Sequence, residues 1–191
     1  FKWNRPYCLW ASRIKEIKQP EAYINLARQL QHENVDFLMV GEIQDERYRY
    51  IEDPINLPDN LHYLGVKSYK EVNGMIDGSL FLIHTCFPEG LPNNFLQAWA
   101  LGKPVVSLHY DPDKIIESKR TGVYSRTLEN FSRDVKTLIH DSEKRLELGE
   151  NAKSLSRNLF NPEKNIKKLE LLMAELVKER KQKCAKKPCF E

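Results

Sequence analysis

What this chain lacks narrows it first. No apolar run approaches the ~20 residues that a membrane-spanning helix needs, so no transmembrane segment is expected. Nothing at the N-terminus reads as a signal peptide. No strong excess of one charge exists: 30 Lys and Arg face 27 Asp and Glu, and a formal charge of +3 is too small to argue for a nucleic-acid partner. Cysteine is sparse. Cys8 and Cys86 fall in or near expected strands, Cys184 and Cys189 in a basic tail, and no pair has zinc-ligand spacing with partner histidines. No metal and no cofactor are expected, and the thiols read as reduced, as in a cytoplasmic protein. Internal repeats are absent, and the only biased stretch is the basic run from Lys178 to Lys187. An initiating Met is absent too. The chain starts at Phe1, so it is expected to begin inside a longer protein.

What is present is ordinary for a globular domain: 191 residues, 41% apolar and 30% charged, enough for one full domain and too few for two large ones. Short apolar runs alternate with helical patterns. Strands are expected at Tyr7–Ala11, Val35–Val40, Asn60–Gly65, Ser79–His84, Val105–Leu108 and Gly122–Tyr124. Helices are expected over Glu21–Gln31, from Ser68 as cap to about Ile76, from Pro92 to Gly102, and over Leu128–His140 and Glu143–Leu159. Pro162 opens a last helix with Ile166, Leu169, Leu172, Met173, Leu176 and Val177 on one face. The charged stretch Glu42–Asp59, with Pro54 and Pro58, reads as irregular or partly helical. This alternation predicts an α/β fold with a parallel sheet of about six strands, helices on both faces and a helical C-terminus. The domain is expected over residues 1–177, with 178–191 a disordered basic tail.

Two segments carry chemistry. In Glu89-Gly-Leu-Pro-Asn-Asn-Phe-Leu-Gln97 an acid and a glycine follow a buried strand, and a helix opens at Pro92 with Phe95, Leu96, Trp99 and Ala100 on its inner face. A helix N-terminus at the carboxyl end of such a strand points free N–H groups at a ligand, and phosphate is the expected one. Pro92 has no N–H, so the backbone of Leu91, Asn93 and Asn94 must donate. In Ala11-Ser-Arg-Ile-Lys-Glu-Ile-Lys18, Arg13 and Lys18 fall in the loop after the first strand, on the same sheet edge. A guanidinium fork and an ammonium point charge together suit a diphosphate. Each has a plainer reading: Arg13 and Lys18 as solvated loop charges, Glu89 as an acid satisfying a helix dipole. Asp111-Pro-Asp113 reads as a turn rather than a metal motif. His84 reads equally as a cleft residue or a satisfied structural histidine.

These segments resemble the donor-site motifs of retaining glycosyltransferases of family four (group 1), which have the GT-B fold. The family pattern is Glu, seven residues, Glu, then a helix and a Gly-x-Pro-Val-Val strand, here Gly102-Lys-Pro-Val-Val106. Glu89 matches the first acid, and Gln97 stands where the second is usual. Arg13 and Lys18 match the cations of a Gly-Arg…Lys-Gly phosphate loop, with Ser12 and Gln19 replacing its glycines. The resemblance implies that Arg13, Lys18 and Glu89 act in catalysis. It implies that Ser12, Gly90, Leu91, Asn93, Asn94 and Gln97 bind substrate, with Gln97 at the ribose. It places base recognition on the main chain of residues 64–67.

The resemblance spans about Tyr7 to Leu176 and covers one half of a GT-B enzyme. The implied protein moves a sugar from a nucleoside-diphosphate sugar to an acceptor hydroxyl on a glycan or lipid-linked acceptor. Its N-terminal acceptor domain is missing from this chain, and peripheral membrane contact is possible for the full-length protein. Alternatives are a half-domain of a sugar-nucleotide epimerase and a non-catalytic nucleotide-sugar- or protein-binding module.

Overall fold

The computed structural model describes residues 1–87 and 90–185, with side chains as far as residue 180. Six strands form one sheet: β1 (Tyr7–Ala11), β2 (Asp36–Val40), β3 (Leu61–Tyr63), β4 (Leu82–His84), β5 (Val105–Ser107) and β6 (Gly122–Tyr124). Their order is β3-β2-β1-β4-β5-β6, and every pairing is parallel. The helices are α1 (Pro20–Gln29), α2 (Tyr69–Gly78), α3 (Asn93–Ala100), α4 (Ile115–Ser118), α5 (Leu128–His140), α6 (Ser142–Leu159) and α7 (Pro162–Ala185). The expected α/β architecture is therefore present. Every expected strand appears, most of them trimmed by a residue or more at their ends. Residues 42–59 form short 3₁₀ turns, Glu46–Glu52 and Pro54–Asn56, each started by an aspartate side chain that accepts a backbone N–H.

Strand alternation sends side chains to two covered faces. Cys8, Trp10, Phe37, Met39, Ile83 and Val106 face one core, shared with Tyr23, Leu26 and Ala27 of α1 and with Phe131, Val135 and Leu138 of α5. Tyr7 points the other way, where its hydroxyl donates to the Met75 carbonyl of α2 at 2.7 Å. On that side His84 meets Phe95 of α3 edge-on, with ring centroids 4.8 Å apart. Cys8 and Cys86 are buried free thiols. Burial pushes the Cys8 thiol well above its ordinary pKa, which keeps it protonated and unreactive.

Two helix ends explain how α3 is set. Ser68 and Glu71 form a capping box that starts its neighbour α2. At its other end α3 stops in a Schellman motif: Gly102 takes φ +69, its N–H donates to Trp99, and the Lys103 N–H donates to Ala98. A Cβ on Gly149 of α6 would stand 2.3 Å from the Gly102 carbonyl, so only glycine lets α6 approach there. The buried face of α3 is Phe95, Ala98 and Trp99, with Leu96 half-buried and Ala100 exposed. Positions i, i+3 and i+4 share one helical face, so Ala98 takes the place expected for Ala100.

The chain divides into two compact units, residues 1–156 and 157–191. The second is mainly α7. Its expected apolar stripe is present in sequence but exposed, with Ile166, Leu169, Leu172, Met173, Leu176 and Val177 each more than 50% accessible. The helix runs into the basic tail as far as Ala185.

Candidate functional site

Strand order reverses between β1 and β4, since β2 and β3 lie to one side and β5 and β6 to the other. In open parallel sheets the loops leaving the two strands at such a switch point part and leave a crevice. Here that crevice is a cavity of about 540 Å³. Its walls are Ala11, which ends β1, then Ser12, Arg13, Lys15 and Lys18 of the loop that follows, and residues 90–94 with Gln97, at the start of α3.

The loop after β1 is held from both sides. The Ser12 N–H donates to Val40 at 3.1 Å, the Ile14 N–H to Glu42 at 2.8 Å, and the Gln44 N–H back to Ile14 at 3.0 Å, so the pairing of β1 with β2 continues past the strands. Gly41 makes this possible: at φ +147, a Cβ there would lie 1.7 Å from the Ser12 carbonyl oxygen. On the other side Trp10 Nε1 donates to Thr85 Oγ1 at 2.9 Å, and Thr85 donates to the Lys18 carbonyl at 2.6 Å. This buried relay ties the loop to the exit of β4. Gln19 follows in the left-handed region (φ 48) and turns the chain into α1. It occupies the position where the motif usually has glycine.

Across the cavity, α3 begins after Pro92 with no side chain capping it. Its first amides therefore keep their donor capacity toward the cavity. Asn94 Nδ2 donates to the Ala11 carbonyl at 3.0 Å, which fixes the helix start against the end of β1. A Cβ on Gly90 would meet no protein atom within 4 Å. Gln97 Nε2 donates to Asn73 Oδ1 of α2 at 2.9 Å.

The structure thus brings Ser12, Arg13, Lys18, Gly90, Leu91, Asn93, Asn94 and Gln97 to one cavity. Glu89 lies outside the described residues. Lys15 also lines the cavity; it stands between two cations that spacing did single out, and nothing distinguishes it from a surface lysine in sequence. Trp10, Thr85 and Asn73 could not be found by motif, because their partners are distant in the chain. Three cations and no described carboxylate line the cavity, so its field favours an anion.

His84 does not line this cavity. It is buried, with Nδ1 3.2 Å from Ser107 Oγ. Asp111 is the turn residue expected: its carboxylate accepts from the Ile116 N–H at 2.7 Å and the Glu117 N–H at 3.2 Å, while burial holds its pKa above the ordinary value. Among the described residues no cluster of His, Cys, Asp and Glu could hold a metal ion. No described helix is long and apolar enough to cross a membrane.

A larger cavity, about 1000 Å³, lies on the α1–α5 side, between Ile17, Tyr48, Phe87, His109, Leu128 and Phe131. Phe87 and His109 stack there with centroids 5.0 Å apart. Burial, with His84 nearby, holds the His109 pKa below its ordinary value. Its charged wall residues are of both signs, Glu16 and Glu21 against Arg28 and Arg47, and Arg47 is already paired with Glu16 and Asp45. Size alone would favour it, but charge and the switch-point position favour the smaller cavity for a phosphate-bearing ligand.

The family model described as glycosyl transferases group 1 matches residues 1–155. The chain belongs to this family. It is 26% identical over 162 residues to the uncharacterized glycosyltransferase MJ1069 of Methanocaldococcus jannaschii, covering 82% of this chain and 41% of that protein. Solved structures share the fold. A glycosyltransferase from Rickettsia africae has a TM-score of 0.79 at 20% identity, over 93% of this chain and 49% of its own. Anabaena Alr3699/HepE, solved with UDP-glucose, has a TM-score of 0.73 at 19% identity, over 92% and 49%. S. aureus TarM, solved as a mutant with Fondaparinux, alpha-GlcNAc-glycerol and UDP, has a TM-score of 0.73 at 20% identity, over 88% and 35%. The chain therefore spans less than half the length of each of these group 1 and structural relatives.

Proposed function

We propose that this chain is the donor-binding half of a retaining glycosyltransferase, and that the switch-point cavity holds the diphosphate of a nucleoside-diphosphate sugar. The observation that carries this reading is the convergence of Arg13, Lys15, Lys18 and the uncapped start of α3 on one cavity. When the sugar leaves, negative charge develops on the diphosphate. Preorganised cations and N–H groups aimed at that charge stabilise the transition state more than the ground state. Arg13 supplies a fork and Lys18 a point charge. Ser12, Gly90, Leu91, Asn93 and Asn94 supply the close-approaching wall, and Gly90 leaves room for it. Gln97 is the ribose-facing group. Glu89, between Phe87 and Gly90 in sequence, would orient the hydroxyls of the donor sugar. The acceptor hydroxyl would come to the site from a second domain. Two relatives solved with UDP or UDP-glucose support a nucleotide sugar as the ligand.

Calorimetric titration with UDP, GDP and ADP tests this reading. At least one should bind, and Arg13→Ala and Lys18→Ala should each weaken it roughly ten- to a hundredfold, the loss of one charge-assisted hydrogen bond. Wild-type affinity in both variants at low salt would refute the phosphate assignment.

A further inference from the structure

Gln97 stands where the group 1 motif usually carries a carboxylate, and its side chain has a partner that no spacing rule indicates. Gln97 Nε2 donates to Asn73 Oδ1 at 2.9 Å, across 24 residues of sequence, in a part-buried contact between α3 and α2. A carboxylate accepts with either oxygen, whereas an amide is planar and polar in one sense: one end only donates, the other only accepts. A neutral Gln replaces an accepting carboxylate only through its oxygen, and in this contact the nitrogen is the end that is engaged. With the nitrogen turned to Asn73, the oxygen is the end left for the cavity that Gln97 lines.

We propose that Asn73 is a positioning residue for the donor site: its hydrogen bond holds the Gln97 side chain at the cavity wall with Nε2 engaged, so that Oε1 accepts a hydroxyl of the bound nucleotide. This rests on the reading of the cavity as the nucleotide-sugar site. Asn73 is itself an amide, and this gives the pair a distinctive rule. Asn73 beside a glutamate at position 97 can rotate by half a turn and donate with Nδ2. Aspartate at 73 beside Gln97 can accept from Nε2 and keeps the polarity. Aspartate at 73 beside glutamate at 97 brings two carboxylates together with no proton between them. The effect of Asn73→Asp therefore depends on residue 97, which a role confined to the stability of α2 would not produce.

The test is calorimetry on the whole chain with two probes: the tightest of UDP, GDP and ADP, and inorganic pyrophosphate, which occupies the phosphate site without a ribose. The readout is the ratio of the two affinities, with melting curves as the folding control. Asn73→Leu should lower the ratio about tenfold, on the scale of one hydrogen bond to a ligand. Asn73→Asp should stay within about threefold of wild type, and Gln97→Glu serves as the second background. The double variant Asn73→Asp/Gln97→Glu should fall at least about tenfold below either single one, a coupling expected only for residues in contact. An unchanged ratio in Asn73→Leu, or an equal effect of Asn73→Asp in the wild-type and Gln97→Glu backgrounds, overturns the proposal. Wild type that binds neither probe overturns the donor-site reading and the proposal with it. Binding of both probes with no change in the ratio overturns the proposal alone.

Discussion

Lys18 is held at the proposed diphosphate site by its backbone, through a relay that starts in the core. The Thr85 hydroxyl accepts from Trp10 Nε1 and donates to the Lys18 carbonyl, joining β1, β4 and the loop between β1 and α1. A valine at 85 has nearly the same shape and neither hydrogen-bonding capacity. Thr85→Val is expected to leave the indole N–H of Trp10 and the Lys18 carbonyl without this partner, at a cost of about 2 kcal/mol. Thermal melting should show a fall of roughly 4–8 °C, and calorimetry a weaker nucleotide diphosphate affinity. An unchanged melting temperature would show that the relay holds nothing. At this scale the sequence was informative where chemistry is local. Arg13 and Lys18 are identifiable from residue type and from the strand before them. Thr85 is not, because its meaning lies in a carbonyl 67 positions away.

The turn into α1 shows strain that motif comparison alone only suggests. Gln19 sits at φ 48, ψ 58, a region that costs a non-glycine residue on the order of 1 kcal/mol. The motif's usual glycine has a backbone reason at this position. Gln19→Gly is expected to raise the melting temperature by about 2–4 °C, the equivalent of roughly 1 kcal/mol in a chain of this size; a lower melting temperature would mean that the Gln19 side chain contributes more than its backbone costs. At the far end of the same helix, Glu33 clips the α1 turn to α5, with oxygens 2.9 Å from Lys136 Nζ and 2.7 Å from His140 Nε2. The hydrogen bond from Lys136 is the main cause of a Glu33 pKa below its ordinary value of 4.5. A carboxyl with a depressed folded pKa contributes stability in full above its ordinary pKa, and that contribution is lost as pH falls through the folded one. The stability difference between wild type and Glu33→Gln should therefore shrink on acidification below about 4.5. Denaturant titrations at several pH values check this; a difference that grows as pH falls below about 4.5 would contradict it. Helix and strand positions were legible because apolar periodicity is a local property. The inner face of α3 is Phe95, Ala98 and Trp99 and leaves the expected Ala100 outside, because apolar residues at 95, 96, 98, 99 and 100 run round most of this short helix and blur which edge is buried. The exposed stripe of α7 shows the limit of periodicity: it marks an apolar face and cannot say whether this chain covers it.

For the whole molecule, the order β3-β2-β1-β4-β5-β6 decides where ligand chemistry can occur. Parallel strands alternating with helices predicted a doubly covered sheet, and the switch between β1 and β4 places the two motif segments side by side although they are some 80 residues apart. That convergence was expected from the motifs. The larger cavity beside α1 and α5 was not, since it is formed by the packing of helices and loops whose residues look like ordinary surface. The two cavities share a wall: Lys15 and Lys18 line the smaller, Glu16, Ile17 and Gln19 the larger. The central claim, that the smaller cavity takes the diphosphate, is therefore tested most directly by location. Backbone amide chemical shifts followed during titration with the tightest-binding nucleoside diphosphate, and separately with pyrophosphate, give that location. The account predicts that both ligands shift the amides of Ser12, Arg13, Lys18, Gly90, Asn93 and Asn94 in common, while those of Asn25, Arg28 and Arg47 stay fixed. Shifts concentrated on Asn25, Arg28 and Arg47, with the start of α3 unmoved, would contradict it.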